Sequence, residues 1–287
     1  MKLIIQPGDG VAPVVRAIRK AKKTVDIVIF RFDRAEVEQA LSQAVQRNVV
    51  VRALIAHTNK GGDKRLRKLE LRLLACGATV ARTADDLARY HGKMMIVDGD
   101  ALHVYGFNYT KLDIDQSRSF GIITRDKKLV REAAQLFEAD ALRQNYSPTH
   151  PRLVVSPENS RARLTAFIKG AKKQLLIYDA QVSDNAVQKV LAERAKAGVE
   201  IRIIGCLEKP LPDVKVRRLA DMRLHVRAII RDGREAFIGS QSLRKLELEG
   251  RREVGLIVTN GGIVRKIQSI FETDWGKSGK KRVANAS

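Results

Sequence analysis

The sequence predicts an α/β fold made of two similar lobes related by a pseudo-two-fold axis. Three observations predict it. First, the chain repeats itself at an offset of 150 residues: Leu3-Ile4-Ile5-Gln6-Pro7 answers to Leu153-Val154-Val155-Ser156-Pro157, Ala21-Lys22-Lys23 to Ala171-Lys172-Lys173, and Val49-Val50-Val51-Arg52 to Val199-Glu200-Ile201-Arg202. Second, short apolar runs alternate with amphipathic ones inside each repeat, which is the pattern of strands alternating with helices. Third, HGKMMIVDGDALHVYGFN at 91–108 returns as HVRAIIRDGREAFIGSQS at 225–242. Self-similarity at a fixed offset sets the architecture before any single element is placed.

Each half opens on a short apolar strand. A helix follows over Val14 to Lys22, with apolar residues at helical spacing and lysines and arginines opposite. A buried strand is expected at Val25–Phe32, with its counterpart at Leu175–Val182. The helix Arg34–Arg47 ends near Asn48, and its counterpart ends at Gly198, a usual stop signal. Another strand covers Val49–Ala56. The two registers then part by sixteen residues, since His91 answers to His225, so the first half carries extra chain between Thr58 and Tyr90. Within it, Lys60–Lys68, KGGDKRLRK, reads as a basic loop entering a helix, either as a solvated helix start or as a phosphate contact. The halves also end alike, Phe137 to Asp140 matching Phe271 to Asp274. The expected division is one lobe over 1–150, a second over 151–276, and a basic flexible tail over 277–287. The Gly-Lys-Ser at 276–278 does not open a nucleotide loop, because Phe271 stands where the first glycine belongs and no strand precedes it.

The chain carries 54 basic and 32 acidic residues, a formal net charge of +22. Residues 1–150 hold 26 basic and 17 acidic residues, and the remainder holds 28 and 15, so both lobes are basic. Such an excess attracts polyanions: nucleic acid, an anionic membrane surface or phosphorylated substrates. The two cysteines, Cys76 and Cys206, lie in no metal-ligand spacing and read as buried free thiols. The N-terminus lacks the apolar region of a signal peptide, and no run reaches the roughly 18 apolar residues of a membrane span. The expected location is therefore cytoplasmic.

The repeated pattern reads as a hairpin. Alternation puts His91 and Lys93 on one face of a strand. Asp98-Gly99 is a strong signal for a two-residue turn, which would set His91 opposite Gly106 with Asn108 just beyond. The second copy turns at Asp232-Gly233 and sets His225 opposite Ser240, with Ser242 just beyond. Each copy then gathers an imidazole, a cation two residues on (Lys93, Arg227) and a small or amide-bearing residue. Asp98 and Asp232 lie at the tips, seven residues from the histidines, and read as turn or structural residues. Asp98-Gly99-Asp100 lacks the other oxygen ligands of a calcium loop, so no metal is expected.

These residues resemble the phospholipase D superfamily, whose signature H-x-K-x(4)-D-x(6)-G-S-x-N occurs twice in single-chain members. The first copy supplies His91, Lys93, Asp98 and Asn108, with Tyr105-Gly106 in place of Gly-Ser. The second supplies His225, Asp232, Gly239 and Ser240, with Arg227 for lysine and Ser242 for asparagine. Glu253-Val254-Gly255 looks like the family's Glu-x-Gly segment, and the matching place in the first half, Ser119-Phe120-Gly121, has no acid. The resemblance implies two α-β-α sandwich lobes with one active site between them, so a monomer suffices. It implies phosphodiester cleavage without metal or cofactor, in which one histidine attacks phosphorus to form a phosphohistidine and the other protonates the leaving oxygen. Lys93 and Arg227 would offset charge on the phosphate, and Asn108, Ser240 and Ser242 would bind it. Arg227 is the main departure: it keeps the charge and grips phosphate with two donors, but it is bulkier and planar. Lys93 and Asn108 favour His91 as nucleophile, as does the family's habit. A carboxylate on the imidazole's other nitrogen favours His225 instead, since only the second copy offers one, Glu253.

Three functions stay open at this level. A nucleic-acid phosphodiesterase suits the charge of both lobes, although aromatic residues are only 5% and give few stacking platforms. A phospholipid phosphodiesterase or transphosphatidylase would draw anionic lipid to the same surface. A non-enzyme would bind nucleic acid or membrane on a decayed scaffold.

Overall fold

The computed structural model describes residues 1–58 and 63–278. The first repeat runs β1 (Lys2–Gln6), α1 (Ala12–Lys20), β2 (Thr24–Ile29), α2 (Ala35–Gln46), β3 (Val50–Ile55), α3 (Asp63–Ala75), β4 (Thr79–Arg82), β5 (Arg89–Tyr90), β6 (Met94–Val97), β7 (Ala101–Tyr105), α4 (Lys111–Asp115), β8 (Ser117–Thr124) and α5 (Lys127–Leu142). The second runs β9 (Leu153–Ser156), α6 (Ser160–Lys169), β10 (Gln174–Val182), α7 (Asn185–Lys196), β11 (Glu200–Leu207), β12 (Val214–Arg217), β13 (Arg223–Leu224), β14 (Arg227–Arg231), β15 (Glu235–Gly239), α8 (Lys245–Glu249), β16 (Arg251–Val258) and α9 (Gly261–Lys277). The order is the same in both except for α3, which has no mate. Most of the extra chain of the first half is this helix. Positions 60–62 of the basic stretch lie outside the described residues, as do 279–287 of the tail. Lys277, expected to begin that tail, is still helical.

Each lobe forms one eight-stranded sheet. The first is ordered β1-β8-β7-β6-β2-β3-β4, with β13 of the second repeat on β8. The second is ordered β12-β11-β10-β14-β15-β16, with β9 and the first repeat's β5 both on β16. One apolar cluster packs α1, α2 and α3 on the outer face of the first sheet, through Val14, Ile18, Leu41 and Leu66. Another packs α6, α7 and α8 on the second, through Leu164, Phe167, Leu191 and Leu248. The largest cluster lies between the sheets and joins both lobes through α5 and α9, with Leu136, Phe137, Phe271 and Trp275. Full burial of each such side chain is worth about 1.5–3 kcal/mol. The layering is therefore that of two α-β-α sandwiches sharing their inner helices.

Two ion pairs, each on a buried carboxylate, tie the lobes across the pseudo-dyad. Arg118 of the first lobe donates to Asp274 of the second at 2.8 and 2.9 Å. Its mate, Arg252, donates to Asp140 at 3.0 Å. These pairs explain why the halves end alike. Burial raises the Asp140 carboxyl to about 7, against the pull of Arg252.

The hairpins differ from expectation by one residue. Val97 pairs with Ala101 and Met94 with Val104, so the turn holds three residues, 98–100. Arg231 pairs with Glu235 in the second copy, giving the same turn. Asp98 and Gly99 both take left-handed conformations (φ 55° and 62°), as do Asp232 and Gly233 (53° and 64°). Asp98 also donates its amide to Thr24 O at 2.8 Å, which anchors the turn to β2. Both faces of β7 are buried, so alternation gave no defence against a one-residue slip. Helix α1 likewise stops at Lys20, earlier than the spacing predicts. The amides of Lys22, Lys23 and Thr24 are taken by the Asp98 carboxylate instead. Cys76 and Cys206 are both free, but Cys206 is exposed and Cys76 only half-buried, because each falls at the end of its element rather than on a core face.

Candidate active site

Neither histidine sits in its hairpin. β5 leaves the first lobe to pair in parallel with β16, and the His91 amide continues the ladder to Arg252 O at 2.7 Å. β13 does the converse on β8, and the His225 amide reaches Arg118 O at 3.2 Å. Each histidine is thus delivered where the chain crosses from the other lobe's sheet to its own. The sheets abut at Gly106, where a Cβ would meet Ser119 Oγ at 3.0 Å and Gly239 O of the other lobe at 3.2 Å.

This exchange decides the partner of Glu253. Its carboxylate lies 2.9 Å from His91 Nδ1 through both oxygens, so it serves His91 and not His225. Glu253 is fully buried. Its acceptor role fixes a proton on Nδ1 and leaves Nε2 with a lone pair. Lys93 Nζ lies 2.9 Å from both ring nitrogens and donates to Nε2. The Phe30 ring meets His91 edge-on at 4.5 Å and holds its plane. Burial pushes the imidazole down to about 4; Glu253 opposes this, and Lys93 and Arg227 reinforce it. Burial also lowers the Lys93 ammonium to about 7, against Glu253 and Asp113. The resting pair is a neutral imidazole beside a carboxylate, because burial disfavours the ring's charge and two nearby cations reinforce that.

His225 is set differently. Its Nδ1 is buried with no hydrogen-bond partner. Ser119, at the place matching Glu253, has an equally unpartnered hydroxyl. Its Nε2 lies 3.6 Å from Asp113 Oδ2. Burial drives its basicity well below the usual range, with Asp113 opposing and Arg227, Lys93 and Arg223 reinforcing. Asp113 is a residue that the signature does not include. Burial disfavours its charge, but His225, Asn108 and Arg223 outweigh that and hold it at about 2. Arg223 donates to it at 2.6 Å. A signal for Asp113 did exist: an acid follows five residues after Asn108 in the first copy and after Ser242 in the second, where Glu247 stands.

Lys93 and Arg227 act on both histidines, so the four groups form one cluster. Arg227 Nη1 donates to His225 O at 3.0 Å, while its Nε is buried and unpartnered. The neutral donors expected to bind phosphate are engaged elsewhere. Asn108 donates to Asp113 at 2.6 Å. The Ser240 hydroxyl bridges the Val254 backbone, at 3.3 Å to O and 3.1 Å from N. Ser242 donates to buried Asp179, the place that Ile29 fills in the first repeat. Asp98 accepts from the amides of 22–24, and Asp232 from those of 172–174. Among the described residues no group of three or more His, Cys, Asp or Glu could hold a metal ion.

A family model described as "Cardiolipin synthase, PLD-like domain" matches residues 14–141 and 164–275, well over half of the chain. The chain belongs to the phospholipase D superfamily. Membership supports a phosphoryl-transfer function. Among solved structures, the polyphosphate kinase of Porphyromonas gingivalis superposes with a TM-score of 0.80 at 20% identity, covering 96% of this chain. The chain spans 50% of that kinase's length. Phosphatidylserine synthase of Haemophilus influenzae superposes with a TM-score of 0.72 at 11% identity, covering 95% of this chain and 86% of the synthase. Nuc from Salmonella typhimurium, a phospholipase D family member, is 21% identical, covers 50% of this chain and 95% of its own, and has a TM-score of 0.45. At these identities the likeness is one of fold. Comparison with curated proteins returned no match. Among the described residues, no helix of this superfamily member is long and apolar enough to cross a membrane.

Proposed function

We propose that this chain is a phosphodiester-cleaving enzyme that works through a covalent phosphohistidine on His91, with a nucleic-acid backbone as substrate. The observation that carries this reading is the Glu253–His91 pair at 2.9 Å, beside Lys93 and Arg227. With Nδ1 protonated, His91 Nε2 attacks phosphorus while the bond to the leaving oxygen breaks. Glu253 stabilises the imidazolium that forms. Lys93 and Arg227 offset charge on the equatorial oxygens. His225 donates its proton to the leaving oxygen, then takes one from water as that water attacks phosphorus and frees His91. A bound phosphate dianion or diester would raise the basicity of His225, and Asp113 favours its charged form. The asymmetry of Glu253 against Ser119 supports this division of labour.

Nucleic acid is favoured because both lobes are basic and the net charge is +22. The family model's cardiolipin synthase description makes an anionic phospholipid the second reading. A chromogenic phosphodiester assay in EDTA, comparing wild type with His91→Ala and His225→Ala, tests the activity. Parallel assays on single-stranded DNA, RNA and phosphatidylglycerol vesicles test the substrate. Hydrolysis confined to vesicles would sink the nucleic-acid reading.

A further inference from the structure

A groove of about 460 Å³ opens beside the two histidines on the first lobe. Arg31 and Phe32, just beyond β2, form one wall, and Arg65, Lys68 and Arg72 of α3 form the other. Asp113, 3.6 Å from His225, forms its inner end. Phe30, which packs on His91, lines the same end. The three α3 cations stand at i, i+3 and i+7, so they share one helix face over about 10 Å. The acids here are spoken for: Asp33 accepts the Lys111 amide at 2.8 Å, and Asp113 holds Asn108 and Arg223. Arg72 is shared with Glu38 at 3.0 Å. Among the described residues, Arg31, Arg65 and Lys68 have no acid partner. Arg31 lies near enough to Lys93 for its charge to act on that ammonium, which links the groove to the reaction centre.

We propose that this groove binds the phosphates of a single-stranded nucleic acid on one side of the scissile bond, an inference that rests on the cleavage reading above. A lipid such as phosphatidylglycerol presents one phosphate, which Lys93 and Arg227 already serve. A row of cations 10 Å long, by the same helical rise, suits a chain of phosphates instead. Phe32, half-buried, adds a ring face for a base. A cavity of this size takes one or two nucleotides and no duplex. Among the described residues the second lobe has no helix matching α3, and Gln181 stands where Arg31 does.

The test is binding of a labelled single-stranded oligonucleotide to His91→Ala protein over a series of salt concentrations. Adding Arg65→Gln with Lys68→Gln is expected to weaken binding at least tenfold. It should also make the slope of log K against log salt less negative by about 1.4, or 0.7 per cation on a single strand. Phe32→Ala is expected to weaken the oligonucleotide about tenfold and to leave inorganic polyphosphate binding unchanged. In protein with His91 intact, Arg65→Gln with Lys68→Gln should leave hydrolysis of a small chromogenic diester unchanged, which also checks the fold. Unchanged oligonucleotide affinity and slope would overturn the proposal. So would a loss confined to polyphosphate or to phosphatidylglycerol vesicles, or a Phe32→Ala protein that binds the oligonucleotide as before. If wild type cleaves no diester, the cleavage reading fails, and the binding measurements still decide the groove.

Discussion

His91 and Glu253 are 162 residues apart in the chain, yet Nδ1 of the one lies 2.9 Å from both carboxylate oxygens of the other. The pair exists because β5 crosses to the second sheet and sets His91 beside β16. Its pseudo-dyad counterpart, His225 with Ser119 at the place matching Glu253, lacks the acid. One molecule therefore holds two histidines of the same origin in two electrostatic settings.

Glu253→Gln tests what the acid contributes. The amide oxygen can still accept from Nδ1, but the charge that stabilises an imidazolium is gone. We expect kcat on a chromogenic diester to fall by about 10³- to 10⁴-fold with little change in KM. A loss under tenfold would mean that Glu253 only positions the ring.

His225→Ala separates the two steps. An activated leaving group such as p-nitrophenolate needs no proton, so the phosphoryl-enzyme should still form in a burst close to one equivalent. Its hydrolysis should be slowed by at least 10²-fold. Stopped-flow absorbance reads both phases, and loss of the burst itself would assign His225 to the first step.

Much of this layout was legible in the sequence, and the reason is the repeat. Two copies in register located both histidines, both cations and the matching halves of the lobes. The Glu253 partner was not legible, because strand exchange between lobes involves only the dipeptides Arg89–Tyr90 and Arg223–Leu224, too short to leave a periodicity. The hairpin register slipped because β7 is buried on both faces. Ser240 and Ser242 match the signature by position, but a position does not say which way a hydroxyl turns: Ser242 turns to Asp179, and Ser240 to the Val254 backbone and Glu253. Asp113 was recoverable only by asking which acids recur in both copies.

The pH profile follows from the same charges. His91 must be neutral, and its basicity is lowered to about 4, so the acid limb of kcat/KM should lie near pH 4. Lys93 must be charged and is lowered to about 7, and His225 must be protonated while burial pulls it down. Activity should therefore begin to fall below the ordinary imidazole range, as His225 loses its proton, and be lost as pH rises through 7 and Lys93 follows. Asp113→Asn removes the charge that favours protonated His225, so the alkaline limb should move to lower pH. A lower Tm with an unmoved limb would make Asp113 structural only.

The lobes should depend on their crossing ion pairs. Arg118→Ala leaves Asp274 buried without its cation, and Asp274 is only 2% exposed. The expected cost is about 3–5 kcal/mol in urea unfolding, partly recovered by Arg118→Lys. A cost below about 1 kcal/mol would show that α5 and α9 alone hold the lobes together.

The central claim is a bond between phosphorus and Nε2 of residue 91. Acid-labile, alkali-stable phosphate should be trapped on wild-type protein quenched during turnover of a labelled diester, and peptide mapping should place it on His91. It should be absent from His91→Ala and should accumulate in His225→Ala. Phosphate mapped to His225, or turnover with no phosphoryl-enzyme at any quench time, would contradict the account.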